Sequence, residues 1–287
     1  LNALYNPNPL IPAAGLDAPL VNGTPLVRLY PGFGDVAFVN QNGSSTYHSF
    51  QGTVKRRISA STFQLSYTWS KTLGDGNEGS RFKTNAFSVP WNDWSRGRGP
   101  ATFDRAHRVT FVFNHDLPNK FSGGIGKVLL NDWAVNGFFV GQTGTPITVT
   151  NRDSGRGIGG SNISTTASDL FANVNAGVPL VSSGSAKENL NAFINPAAFT
   201  KAPIGTFGNS GRGMFRGPGQ SNVDFSAFKN IPISERYRLQ FRAEFFNLFN
   251  HANFDNPTSS LDSAAYGTIR STSVNARLVQ FALKLSF

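Results

Sequence analysis

Apolar side chains recur at every second position in several separate stretches of the chain. In 277–287 the apolar set is Val279, Phe281, Leu283, Leu285 and Phe287, and Leu278, Gln280, Ala282, Lys284 and Ser286 alternate with it. In 61–73, Phe63, Leu65, Tyr67 and Trp69 alternate with Gln64, Ser66, Thr68 and Ser70. In 236–249, Tyr237, Leu239, Phe241, Ala243 and Phe245 alternate with Arg238, Gln240, Arg242 and Glu244, and the phase slips at FFNLFN, which predicts a bulge or the end of the regular strand. A period of two is the mark of a strand with one apolar face. Together with 46–58, 107–117, 132–149 and 221–231, these stretches predict seven strands. The stretch 221–231 begins in alternation and then also slips. A shorter eighth stretch, FGDVAFVNQ at 33–41, is placed to pair with the start of 46–58 across the turn NGSS.

The connections sort by length. Those after 58, 117 and 231 are short or modest, and those after 73, 149 and 249 are long. In an up-and-down antiparallel sheet alternate connections lie at opposite ends, so all long loops fall on one end. That asymmetry is expected of an outer-membrane β-barrel, with long extracellular loops and short periplasmic turns. The fold expected is therefore all-β, an antiparallel up-and-down transmembrane β-barrel portion of about seven or eight strands. The same polarity puts Phe287 at the turn end.

The hydrophobic content of 39% rules out a bundle of membrane helices, and no apolar run approaches the roughly 18 residues a spanning helix needs. A transmembrane strand needs only about 10 residues, half of them facing lipid. The chain has 30 Gly, 26 Phe and no Cys, which excludes disulfides and thiolate metal sites. Its four His are scattered without metal spacing. The net charge of +10 is spread singly through strand-like segments, so no nucleic-acid partner is expected. No nucleophile elbow or other catalytic constellation is present, so the chain reads as a non-enzyme without a cofactor. Its opening, LNALYNPNPLIPAAGLDAPL, lacks an initiator Met and a signal-peptide core, and reads as the interior of a longer protein.

The two faces of the strands differ in chemistry. The apolar face suits lipid, with Tyr67 and Trp69 near one end and Tyr237 near the other, where aromatic girdles belong. The polar face, with Asp224, Arg238, Gln240, Arg242, Glu244, Gln280 and Lys284, is expected to line the lumen. Neighbouring strands there would set opposite charges near one another, serving register more than transport. In the long loops, Trp91, Trp94, Arg96 and Arg98 are candidate extracellular ligand contacts; packing over the barrel mouth is the equal alternative. DGNEG at 75–79 has oxygen ligands but not a full calcium loop. The Gly-rich 155–160 and 211–219 lack the strand-then-helix frame of a nucleotide site.

Several longer stretches resemble a known family. YHSFQGTVKRRISASTFQLSYTWSKTLGDG, FDRAHRVTFVFNHDLP, GNSGRGMFRGPGQSNVDFSAFKNIPI, RLQFRAEFFNLFNHANFDNP and the closing RLVQFALKLSF are similar, in this order, to segments of TonB-dependent outer-membrane receptors of the Oar-like type. That group carries a carboxypeptidase-regulatory-like domain at its N-terminus. The resemblance covers roughly 46–287 and implies the C-terminal part of a receptor barrel of about 22 strands. Residues 1–45 would be an irregular segment with a weak strand, a loop of that barrel. The implied partners are outer-membrane lipid, the barrel-assembly machinery, TonB through an N-terminal part missing here, and an unknown extracellular substrate. Val279, Phe281, Leu283, Leu285 and Phe287 would form the assembly signal, a strand edge that another sheet captures by β-augmentation. Two other readings stay open at this point: a self-contained small outer-membrane pore or adhesin, and a soluble glycan-binding β-sandwich.

Overall fold

The computed structural model describes residues 44–75, 93–152, 169–203, 206–234 and 236–287, with short pieces between 3 and 40 and at 87–88. Seven long strands make one sheet: β1 (Ser45–Ile58), β2 (Ser61–Gly74), β3 (His107–Asp116), β4 (Trp133–Gln142), β5 (Gln220–Pro232), β6 (Arg238–Phe246) and β7 (Leu278–Ser286). Each pairs antiparallel with its neighbours in sequence, so the sheet is a meander in strict chain order. Among the described residues, β1 and β7 each keep one edge unpaired. The turn between β1 and β2 is Ser59 and Ala60, with Ser59 at φ 48°. Asp132 and Asn247 take the left-handed conformation at the start of β4 and the end of β6. Short polar side chains are the non-glycine residues that tolerate it.

Register sorts every side chain onto one of two faces. Phe50 of β1 lies opposite Trp69, Leu65 of β2 opposite Phe111, and Phe111 of β3 opposite Phe139. Further along, Phe225 lies opposite Phe245, and Phe241 opposite Leu283. These belong to one apolar row running across all seven strands, and among the described residues no second sheet covers it: Leu65, Tyr67, Trp69, Phe281 and Leu283 are exposed. A sandwich would bury this face, so the soluble sandwich does not fit. Within the row Phe113 lies over Gly137, where a Cβ would come within 2.1 Å of its ring. Glycine there leaves the space that the ring fills.

The structure corrects several sequence expectations. Strand 132–149 ends at Gln142, because Gly144 crosses loop backbone so closely that a Cβ would fall 1.9 Å from the Gly217 carbonyl oxygen. Pro146 then begins a separate short pair with Phe215–Arg216. Within 236–249 the slip at FFNLFN does mark the end of the regular strand, which stops at Phe246, with Asn247 and Asn250 both at positive φ. The slip in 221–231 does not interrupt the strand: β5 keeps unbroken register with both neighbours. Two side chains hide its period: Lys229 sits in the apolar row and Phe228 in the polar one. Lys229 turns its ammonium back to the Asn131 carbonyl, as a long stem permits. The eighth segment does not extend β1. Its described part, Phe38–Asn40, pairs with Ala3–Tyr5, because alternation over so few residues specifies no partner. The link 117–132 holds a helix, α1 (Gly124–Leu130), which the strand reading missed.

The fully buried apolar residues lie almost entirely outside the sheet. Ile147, Val149, Ala172, Ile194, Ala198 and Phe199 form a cluster in the connections 143–219, with Leu261 and Tyr266 from 247–277 packed on it. At the loop end the chain thus folds like a small soluble protein set on a membrane wall. The wall's sidedness is testable by urea unfolding of the protein refolded in bilayers. Phe111→Arg, which puts a charge in the middle of the apolar row, is expected to cost about 2–4 kcal/mol. Thr110→Arg, one residue away on the other face, is expected to cost clearly less.

Candidate functional site: the loop cap

One dipeptide ties the cap to the wall. The Asp104 carboxylate is fully buried; it accepts the Thr72 backbone N–H of β2 at 2.6 Å and a guanidinium nitrogen of Arg216. Arg216 also donates to the carbonyls of Asp104 at 2.9 Å and Gly144 at 3.0 Å. Arg105 donates to the Thr143 carbonyl at 2.8 Å, and its own carbonyl accepts the Ser70 hydroxyl at 2.9 Å. Three separate connections, 93–106, 143–146 and 215–216, are thereby fixed to β2 by charge-assisted hydrogen bonds. Burial, and then the like charges of Arg108 and Arg216, lower the Arg105 pKa. Arg212 is buried as well, and it donates to the Gly74 carbonyl at 3.3 Å.

Buried asparagines organise the third long loop. Asn247 donates to the His251 and Asn275 carbonyls, both at 3.0 Å, and accepts the His251 N–H at 2.9 Å. Asn253 is wholly buried and accepts the Ser221 N–H of β5 at 2.6 Å. An amide has both donors and acceptors and can satisfy loop backbone that no strand reaches. Tyr266 contrasts with these. Its hydroxyl is buried with no partner among the described residues, and burial raises its pKa to about 12. Beside this framework lies an open cleft of about 260 Å³, lined by Thr102, Ile147, Thr148, Thr150, Asn256 and Ser259 among others. Its hydroxyls and amide offer hydrogen bonds and no charge.

The residues expected to contact ligand serve other purposes or escape description. Arg96 donates to the Gly208 carbonyl, and Arg98 to the hydroxyls of Ser44 at 2.7 Å and Thr46 at 3.3 Å. Both hold loops over the sheet, and neither lines the cleft. Trp94 starts a short 3-10 turn, Trp94–Gly97; Trp91 lies outside the described residues. Of DGNEG only Asp75 is described, and its carboxylate accepts the Ser44 N–H at 2.7 Å. The segment 155–160 is likewise outside the described residues.

The seven polar strand residues share the face opposite the apolar row. Hydrogen bonds, and no ion pair among the seven, connect them. Arg242 donates to Gln240 at 2.7 Å and lies over the Phe228 ring, and Gln240 donates to Asn230 at 2.9 Å. Asp224 accepts from Asn222 and from the Asn247 backbone, both at 2.8 Å. Glu244 lies opposite Gln280, Gln240 opposite Lys284 and Arg238 opposite Ser286. The expected alternation of opposite charges is thus realised as amides beside charges. On the other face of β7, Val279, Phe281, Leu283 and Leu285 continue the apolar row, and Phe287 follows it, exposed.

Comparison with known proteins agrees with this wall. The family model described as an outer membrane beta barrel domain matches residues 1–280. The chain belongs to that family. No curated protein and no solved structure matches it. The outer membrane β-barrel domain therefore sits in the outer membrane with its apolar row against lipid. Within it, Asp104 and Arg216 hold the cap to the wall, a tie that strand periodicity could not reveal, since both lie between the long strands.

Removing either partner of that pair leaves a charge in a site built for two. Asp104→Ala is expected to destabilise the cap by about 3 kcal/mol, the low end for a buried pair, because the Arg216 side chain stays 31% exposed. Limited proteolysis of intact cells checks it: the cap loops should be cut while the barrel stays resistant.

Proposed function

We propose that this domain is the C-terminal barrel portion of a TonB-dependent, Oar-like receptor. The observation that carries the reading is the ordered resemblance over 46–287, whose segments coincide with β1 to β3, with β5 to β7 and with the Asp104–Arg216 tie of the cap. The edges that β1 and β7 leave unpaired among the described residues support it, because a wall of this kind needs further strands to close. In this reading the long loops face the outside, the polar face lines the lumen, and the whole protein binds a substrate without converting it. It admits the substrate when energised through TonB, which contacts a part of the receptor N-terminal to this domain. The hydroxyl- and amide-lined cleft in the cap suits a neutral, hydrogen-bonding substrate group.

In vivo formaldehyde cross-linking tests the coupling. A TonB adduct is expected in energised cells, together with little steady conductance in planar bilayers. No adduct and a permanently open channel would overturn the receptor reading in favour of a passive pore.

Assembly by the barrel machinery is tested separately. In this reading β7 is captured through its free edge and its terminal apolar residues. Phe287→Asp is expected to lower the outer-membrane level of the protein, read by fractionation and heat-modifiable migration. An unchanged level would remove Phe287 from the signal.

A further inference from the structure

We infer that α1, at the turn end of the wall, is an interfacial anchor that lies in the lipid headgroup region of the adjacent leaflet. The helix is GIGKVLL, and its apolar side chains are uncovered: Ile125 is 77% exposed, Val128 57%, Leu129 59% and Leu130 55%. At about 100° per residue, Ile125, Val128 and Leu129 share one side and Lys127 lies opposite. In water such a patch has no account. A short helix with one apolar side and a cation on the other is the pattern of helices that lie in the membrane interface.

Two contacts place the helix on the lipid side of the wall. Trp133 opens β4 in the same row as Val135 and Phe139, the apolar one, and its indole N–H donates to the Leu129 carbonyl at 2.7 Å. Lys229, paired with Trp133 in that row, donates its ammonium to the Asn131 carbonyl. Both outward side chains therefore hold the C-terminal end of α1, whose carbonyls lack helical partners and favour a donor or a cation. The apolar side of α1 continues the surface that already meets lipid. Leu117 and Phe121, exposed on the same connection, widen it, and Phe121 packs against Gly126. Tryptophan at this level is itself an interfacial residue. The occupant is lipid. This inference rests on the outer-membrane wall alone and not on the receptor reading.

The chain contains no Cys, so single cysteines can be introduced and labelled without internal competitors. The intact protein carrying Ile125→Cys, Val128→Cys, Leu129→Cys or Lys127→Cys would be labelled with an environment-sensitive fluorophore. It is then reconstituted in vesicles of phosphatidylethanolamine and phosphatidylglycerol, with protein lacking the introduced cysteine as the labelling control. At 125, 128 and 129 we expect a blue-shifted emission, quenching by a headgroup nitroxide lipid and loss of iodide quenching. At 127 we expect iodide quenching to persist. Equal iodide quenching at all four positions overturns the inference. Shielding found in native outer membranes but lost in these vesicles also overturns it, since a protein would then cover the helix.

Discussion

Lipid offers no partner to a backbone amide, and that constraint decides the wall. Each interior strand from β2 to β6 has both edges taken, with register unbroken along the paired lengths. Once the backbone is satisfied in this way, only one side of each strand must be apolar. The other side is free to carry Arg, Gln and Glu, which is how a chain with only 39% hydrophobic residues enters a membrane. Arg56, Lys71 and Lys229 also fall on the apolar face, and Lys229 stays tolerable there because its ammonium donates back to the Asn131 and Asn230 carbonyls.

The cap works under a different solvent. There the apolar side chains turn inward, as in any water-soluble core, around Ile147, Val149, Ile194 and Phe199. The buried asparagines of the third long loop are matched by backbone: Asn253 serves Ser221, and Asn247 serves His251 and Asn275. Asp104 joins the two regimes. It takes a backbone N–H of β2 on one side and a cap arginine on the other, so the cap's position follows the wall's rim. Any cleft in the cap is held to that rim as firmly as this pair is held.

The wall was legible in the sequence because strand periodicity is local. Seven of the stretches that alternate are the seven long strands, and the sorting of loop lengths gave their order. The periodicity was obscured where two residues break face: Phe228 and Lys229 interrupt the pattern of a strand whose register is unbroken. It also overran at 143–149 and 247–249, where backbone crossing and left-handed asparagines stop the strand. The helix was missed because GIGKVLL is too short for a helical period to show. The cap was illegible for a deeper reason. Its core joins Ile147 to Phe199 and Leu261, and Asp104 to Arg216, pairs separated by long stretches of chain. No local pattern encodes such a meeting. Arg96 and Arg98 looked like ligand contacts because loop arginines hold backbone and bind ligands with the same donors.

Strand direction limits how the wall can close. β1 and β7 both run from the loop end to the turn end, because an even number of reversals separates them. If these two edges met, they would pair in parallel, the weaker arrangement and one foreign to an up-and-down barrel. Strands inserted between them must begin antiparallel to β7 and finish antiparallel to β1. In a meander only an odd number of added strands does this, which restores the even total of bacterial barrels. The parity holds whichever polypeptide supplies them. The free edge of β1 belongs to a strand of 14 residues and that of β7 to one of 9, so the completing strands meet a long edge at one seam and a short edge at the other. A seam with a short edge has fewer hydrogen bonds to lose.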